Sequence, residues 1–465
     1  MTKINDVLRK VSNKLRPTQE DRRHTEYFAA ELMNVATKIC KQYSVKPMMC
    51  GSVSKNTWMI NKNELDLFLL FKPSTPRARL EKNGLEIANE IITTLKGRPE
   101  KKYSEHPYLC GTIKFGKTVF NVDAVPCYDI KNLKKIKTSV DRTPHHVKYV
   151  KKNLLLPDEV RLLKQFCKAN GIYGADVKTN GFSGYICELM IIHHGKFSRL
   201  IKDVANWRIP YVMTMNKMNK KKLVEKFKHP FIFIDPVDVN RNVAAAVSPE
   251  SFYKFVHFAK RFNDNPSDKL FYPDKSKPYT ITEINKKIKA RGTRWYMIGF
   301  KKPNIPEDTL YPQMKRGINS VQKILEGYGF SVMRKDMWIG DSCVFLFEMD
   351  VWQTPSISKN TGPNVYTKHA EGFLKHYKDR NIFIEGDDWI VELDREFTTV
   401  LHLLKNLIKK SDKELKQKGI PSKIVTNFGK GSVVSGTDVV KMIKYLPDEF
   451  RVFMKDWFEK DIDIV

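Results

Sequence analysis

The stretch ELDLFLLF, residues 64–71, constrains the fold more than any other part of the chain. A compact run of Leu and Phe closed by Lys72-Pro73 reads as a β-strand too apolar to lie at an exposed edge. It therefore predicts an inner strand of a sheet. Side chains alternate along a strand, which puts Glu64 and Asp66 on one face about 7 Å apart, with Leu65, Leu67 and Leu69 on the other. Two acids in such a strand need a reason.

The flanking pattern supplies the rest of that sheet. Phe28, Leu32, Val35 and Ile39 recur at helical spacing and predict a helix over about 18–43, after which Met48–Cys50 leads into Gly51-Ser52. A second helix is predicted over about 77–96, stopped by Gly97 and Pro99. Then TIKFGKTVFNVDAVPCYD reads as two strands joined at 115–117, the second setting Asn121, Asp123 and Val125 against Phe120, Val122 and Ala124. Helix, strand, helix and hairpin make an α/β domain with a mixed sheet.

From about residue 158 helical periodicity dominates, broken by Gly171, Gly174, Gly181 and Gly184. A basic stretch, NKMNKKKLVEKFKHP, precedes the strand-like FIFIDPVD, and a helix is predicted over 242–262. The Pro- and Asp-rich segments NDNPSD and YPDKSKP then mark a boundary. Beyond it, strands at 294–300, 329–334 and 344–351 alternate with helices at 311–328, 366–377 and 394–410. The expected fold class is α/β (α+β) and multidomain: a catalytic head over 1–144, a mainly helical central domain over 145–262, and an α/β body and tail over 263–465. A length of 465 residues suits about three domains.

A formal charge of +30 points to a polyanionic partner, and 41% hydrophobic residues to a globular chain. No apolar run approaches the roughly 18 residues of a membrane span, and the charged N-terminus lacks a secretory h-region. Seven cysteines without a C-x-x-C pair argue against a disulfide framework or structural zinc, and for a reducing, cytoplasmic compartment.

The chemistry is expected where Gly51-Ser52, Glu64, Asp66 and Asp123 converge. Carboxylates on adjacent strands repel unless cations intervene, and hard oxygen donors suit two Mg²⁺ ions roughly 3.5–4 Å apart, the usual clamp for in-line phosphoryl chemistry. Gly51 and Ser52 offer backbone amides and a hydroxyl to a triphosphate. A lone Gly-Ser is usually a turn, and a lone E-x-D a solvated face. Their combination resembles the DNA polymerase β-type nucleotidyltransferase superfamily.

Further blocks narrow the resemblance. GSVSKNTWMINKNELDLFLLF, NVDAVPCYDI, SVDRTPHHVKYV, RLLKQFCKANGIYGADVKTNGFSGYICELMI and FIDPVDVNRNVAAAVS occur in order, followed by LYPQMKRGINSVQKILEGYGFSV and GPNVYTKHAEGFLKHY. Together they resemble the archaeal-type (class I) tRNA CCA-adding enzymes over nearly the whole chain. The resemblance implies template-independent addition of CMP, CMP and AMP to the tRNA 3′ end from CTP and ATP. It implies that Glu64, Asp66 and Asp123 hold the metal ions, with Ser52 on the triphosphate. His146, Lys164 and Tyr173 would lie near its phosphates and sugar, and Arg241 would read the base edge. Two segments depart from the family. Val53 and Lys55 stand where Tyr and Arg are common, which leaves Lys55 a point charge toward phosphate. In DRTPHHVKYV, Val147 takes the place of the second histidine and His145 that of an aromatic, so His145 and His146 remain alternatives for the nucleotide-facing residue.

tRNA recognition of its acceptor stem and elbow is expected through shape and backbone. The clusters at 217–228 and 286–294 nominate Lys217, Lys220, Lys221, Lys222, Arg291 and Arg294 for phosphate contacts. The resemblance admits a homodimer, and nothing in the residues fixes the oligomeric state. Competing readings are a poly(A) polymerase or oligoadenylate synthetase-like enzyme, and a non-catalytic RNA-binding relative, against which the intact acids argue. His193-His194 and the GKGS at 429–432 read as structural.

Overall fold

Charged and apolar residues at helical spacing wind the start of the chain into α1 (Lys3–Leu15) and α2 (Gln19–Gln42). The first was not anticipated, because three buried residues, Leu8, Val11 and Leu15, carry its packing among many charges. The second begins at a capping box in which Thr18 and Asp21 satisfy each other's backbone amides. The computed structural model describes residues 3–60, 62–103, 105–274 and 277–459. It divides into two units, Met1–Asp274 and Lys275–Val465. Lys275 and Ser276 of the predicted linker lie outside the described residues.

In the first unit β1 (Lys46–Cys50), a one-turn helix α3 (Gly51–Ser54), β2 (Glu64–Phe71), α4 (Arg77–Thr94), β3 (Arg98–Tyr103), β4 (Pro107–Phe115) and β5 (Thr118–Tyr128) follow one another. They form a mixed sheet of order β1-β2-β5-β4-β3, in which β2 and β5 run parallel and the other pairs antiparallel. The ELDLFLLF segment is an inner strand. Leu65, Leu67 and Leu69 pack with Phe28, Leu32, Ile87 and Ile91 of α2 and α4. β3, RPEKKY, has no alternating apolar pattern and went unforeseen; it is a charged edge strand, the kind that resists pairing with other chains.

The opposite face of the sheet is divided. At one end Phe68, Leu70, Val125 and Cys127 are sealed by Val147 of α5 (Thr143–Asn153), and at the other lie the acids. Next come α6 (Pro157–Ala169), α7 (Gly184–His194), α8 (Phe197–Val204), β6 (Tyr211–Met213), α9 (Lys220–Phe227), β7 (Phe231–Phe233) and α10 (Pro249–Asp264). Phe166, Phe197, Phe255, Phe262 and Phe271 pack edge-on or tilted in their shared core. The helix expected from residue 242 starts only at Pro249. Asn242 instead braces the preceding turn, accepting from Phe233 and Ala244 amides at 2.9 and 3.0 Å and donating to the Phe231 carbonyl at 3.0 Å.

The second unit contains α11 (Ile281–Ala290), β8 (Arg294–Lys301), α12 (Glu307–Gly327), β9 (Ser331–Ile339), β10 (Ser342–Val351), β11 (Ile357–Asn364), α13 (Ala370–His376), β12 (Ile382–Glu385), β13 (Asp388–Asp394), α14 (Val400–Ile408), α15 (Asp412–Gln417), α16 (Val425–Gly429), β14 (Ser432–Ser435), α17 (Thr437–Ile443) and α18 (Asp448–Phe458). An antiparallel sheet of order β14-β8-β10-β9 has α12 and α14 on one face and α11, α17 and α18 on the other. A smaller sheet, β11-β13-β12, ends with β13 at Asp394, the residue from which a helix was expected. That helix begins later, where Thr399 caps α14.

His194 bonds the Met190 carbonyl at 2.9 Å and Asp203 at 3.1 Å, which makes it structural. The GKGS segment is the turn from α16 into β14. All seven cysteines are free thiols and buried. Among the described residues no helix is long and apolar enough to cross a membrane.

Candidate active site

Parallel pairing of β2 with β5 sets Asp66 directly beside Asp123, and Glu64 beside Asn121. Partners in register on neighbouring strands share a face, so the two aspartates stand side by side at the polar end of the sheet. Burial, and then the neighbouring charge of Asp123, push the Asp66 carboxyl up from 3.8 to about 6. Lys55 and Lys164 act in the opposite direction. Cys50 pairs with Asp66 on the other side of β2, and the chain then turns at Gly51 with φ +65°. A Cβ there would sit 1.7 Å from Asp66 Oδ2, so only glycine lets the turn close on the carboxylate. Ser52 follows, half-buried, its carbonyl accepting from the Thr57 amide at 2.9 Å.

These residues fit divalent cations by the nature of their donors. Two hard carboxylates held together against their mutual repulsion, under a glycine cradle, favour a positive charge between them. Glu64 is exposed and lies 3.5 Å from Lys62. Among the described residues no three His, Cys, Asp or Glu side chains form a group that could hold a metal ion, while Glu64 acts on Asp66 as a further neighbouring charge.

Behind the turn is a buried polar array that sequence reasoning found only in part. Lys55 reaches Glu188 of α7 at 2.6 Å, and Thr57 donates to the other oxygen of Glu188 at 2.6 Å. Lys164 of α6 donates to the Thr57 hydroxyl and carbonyl, both at 3.1 Å, and lies 3.5 Å from Glu188. Burial raises the Glu188 carboxyl, but Lys55 and Lys164 outweigh it and hold the group below its ordinary value. Burial lowers the Lys164 ammonium in spite of Glu188. Arg161, also buried, donates to the carbonyls of Asn56 and Trp58 at 2.7 Å each, fixing the backbone on both sides of Thr57. Tyr173 enters from the loop before α7, where a Cβ on Gly184 would come within 3.1 Å of its hydroxyl and 3.6 Å of the Lys164 chain. A small residue is what allows the tyrosine and the lysine to converge.

A second cluster surrounds Asp235, which is fully buried. His146 bonds it at 2.9 Å, Arg241 at 2.9 Å, Tyr185 at 3.1 Å, and the Val237 amide donates at 3.0 Å. Burial alone would raise the carboxyl, yet these partners, His146 foremost, hold it at about 2. Burial depresses the His146 imidazole despite Asp235, and the ring stacks on Tyr185 at 3.9 Å. Arg241 keeps over a third of its side chain exposed. His145 points elsewhere, to the Ile130 carbonyl at 2.5 Å, so of the two histidines His146 is the one in the cluster.

Lys217, Lys220, Lys221 and Lys222 are exposed at and before the start of α9. In the second unit Arg291 is engaged by the buried Glu348, which also accepts from Thr293 at 2.8 Å, while Arg294 is exposed. Sequence reasoning missed Glu188, Thr57, Asp235 and Tyr185. The available signals were a lone acid inside the apolar helix YICELMII and an aspartate closing the strand FIFI.

The chain matches a family described as tRNA nucleotidyltransferase, second domain, over residues 158–272. It matches a second, described as CCA-adding enzyme, C-terminal domain, over 291–429. It is 37% identical to the CCA-adding enzyme of Methanoregula boonei over 83% of each chain. To that of Methanosarcina acetivorans it is 32% identical over 97% of this chain and 98% of the relative. A solved RNA terminal U-transferase aligns at 15% identity and TM-score 0.44 over 58% of this chain and 98% of its own. With relatives above 30% identity spanning both units, the chain belongs to the family of archaeal CCA-adding enzymes.

Proposed function

We propose that the protein completes the 3′ end of tRNA, adding CMP, CMP and AMP in turn from CTP and ATP with release of pyrophosphate. The observation that supports this most directly is the Asp66–Asp123 pair set in register under the Gly51 turn, within a chain of this family. Glu64, Asp66 and Asp123 would hold two divalent cations, Mg²⁺ by donor hardness, whose chemistry is to acidify the primer 3′-hydroxyl and neutralise the departing pyrophosphate.

The protein's own groups do the remaining work. Ser52, Lys55 and Lys164 bind the triphosphate and orient its α-phosphorus for in-line attack by the primer oxygen. Tyr173 and His146 bound the sugar and phosphates. Arg241, aimed by Asp235 and open to solvent at its other edge, selects cytosine or adenine by hydrogen bonding. Catalysis belongs to residues 1–144, nucleotide and primer binding to 145–262, and grip on the acceptor stem and elbow to 263–465 together with the exposed lysines before and in α9. Buried, unpaired thiols suit a reducing cytoplasm.

Incubation with Mg²⁺, CTP, ATP and tRNA ending at the discriminator base should yield C, CC and CCA products and then stop. Indefinite A tails, or 2′–5′ linkages without C incorporation, would overturn the reading.

A further inference from the structure

The array behind the turn is more elaborate than packing requires. Glu188 is wholly buried in a helix whose neighbours are apolar, and a carboxylate is costly there unless fully partnered. Both of its oxygens are used. Oε2 takes Lys55 at 2.6 Å, and Oε1 takes the Thr57 hydroxyl at 2.6 Å with Lys164 at 3.5 Å. Lys164 in turn donates to that same hydroxyl, closing a ring of Lys164, Thr57 and Glu188. The side chains of Lys55 and Lys164 are only 10% and 4% exposed. Without the carboxylate, two ammonium groups would be left out of water with no counter-charge, which favours loss of the Lys164 proton.

We infer that Glu188 is the positioning residue of the nucleotide site: it holds the ammonium groups of Lys55 and Lys164 in fixed places, so that a triphosphate meets a preformed pair of cations. This deepens the proposed function and rests on it. Lys55 is anchored from behind by this arrangement. A lysine presents a flexible point charge where a guanidinium would present a rigid fork. Glu188 supplies the rigidity from behind. The titratable groups acting on Lys164 are Glu188, Lys55 and Cys187, Asp66 faces it from β2, and Tyr173 approaches it across Gly184.

The test is steady-state kinetics of the full-length protein with discriminator-ended tRNA and varied CTP, from about pH 6.5 to 9.5, for wild type, Glu188→Gln and Glu188→Asp. Glu188→Gln keeps the shape and removes the charge. It should raise KM for CTP by about tenfold or more, and shift the basic limb of kcat/KM toward acid by about one pH unit as one lysine loses its proton. Glu188→Asp should recover part of both effects. Unchanged KM and pH profile in Glu188→Gln would overturn the inference, as would a loss of activity with no change in the pH profile of the folded protein. If Glu188→Gln does not fold, Thr57→Val replaces it, cutting the hydroxyl link at constant volume. A KM rise of about threefold is then expected, and an unchanged KM overturns the inference. Wild-type protein that makes no CCA product defeats the functional reading, whereas active wild type with an indifferent Glu188→Gln defeats this inference alone.

Discussion

At the scale of single residues, the site is built against stability. Asp66 has a folded value of about 6, above its ordinary 3.8, so the folded protein holds that proton more tightly than the unfolded chain does. Its penalty is absent below about pH 4 and complete above about pH 6, reaching at most about 3 kcal/mol before solvent screening. Asp66→Asn should therefore abolish nucleotide incorporation while raising the Tm of metal-free protein by a few degrees at pH 8. The difference should vanish near pH 4, as followed by calorimetry. Asp235 has the opposite sign. With its carboxyl at about 2, it contributes stability that is present above about pH 4 and lost as the pH falls through 2. Asp235→Asn should lower the Tm at pH 7 and, by releasing Arg241 and His146, reduce the CTP-over-ATP preference in single-nucleotide incorporation. The two aspartates of the sheet were readable because a strand's alternation fixes which side chains share a face. Glu188 and Asp235 were not, because Lys55 and His146, which meet them, lie 133 and 89 residues away in the chain.

Among elements, the strongest local signals proved the most reliable. β2, β5 and α2 have apolar spacing that admits one periodicity, and each forms within a residue or two of its expected position. The strands β3 and β11 escaped notice because neither is half-buried. RPEKKY and ISKNTGPN carry mostly polar or exposed side chains, so only their pairing makes them strands. The turn between β1 and β2 is the element most sensitive to change. Gly51→Ala demands a positive φ of a residue with a Cβ and drives that carbon into Asp66. We expect kcat to fall by about a hundredfold or more with tRNA affinity unaltered, measured by single-turnover incorporation beside filter binding.

For the whole molecule, the dominant quantity is its charge of +30. Binding to tRNA should weaken steeply with added salt, since each phosphate neutralised releases counterions. Replacing Lys217, Lys220, Lys221 and Lys222 together by Ala should flatten the slope of log Kd against log salt by about one for each lost contact, leaving kcat at saturating tRNA unchanged. A slope equal to that of wild type would remove these lysines from the interface. The excess of basic residues was visible in the composition, but which of them are free was not. Arg291 sits in a cluster as basic as any, yet its guanidinium is committed to Glu348.

The seven thiols offer a last consequence. Four lie in or against the first sheet (Cys40, Cys50, Cys110 and Cys127), two in the adjoining helices (Cys167 and Cys187) and one in the second unit (Cys343), all shielded. An alkylating reagent should thus leave the intact molecule unmarked, and pulses of it during slow denaturation, read by mass spectrometry, would register which layer comes apart first without any reporter having to be introduced.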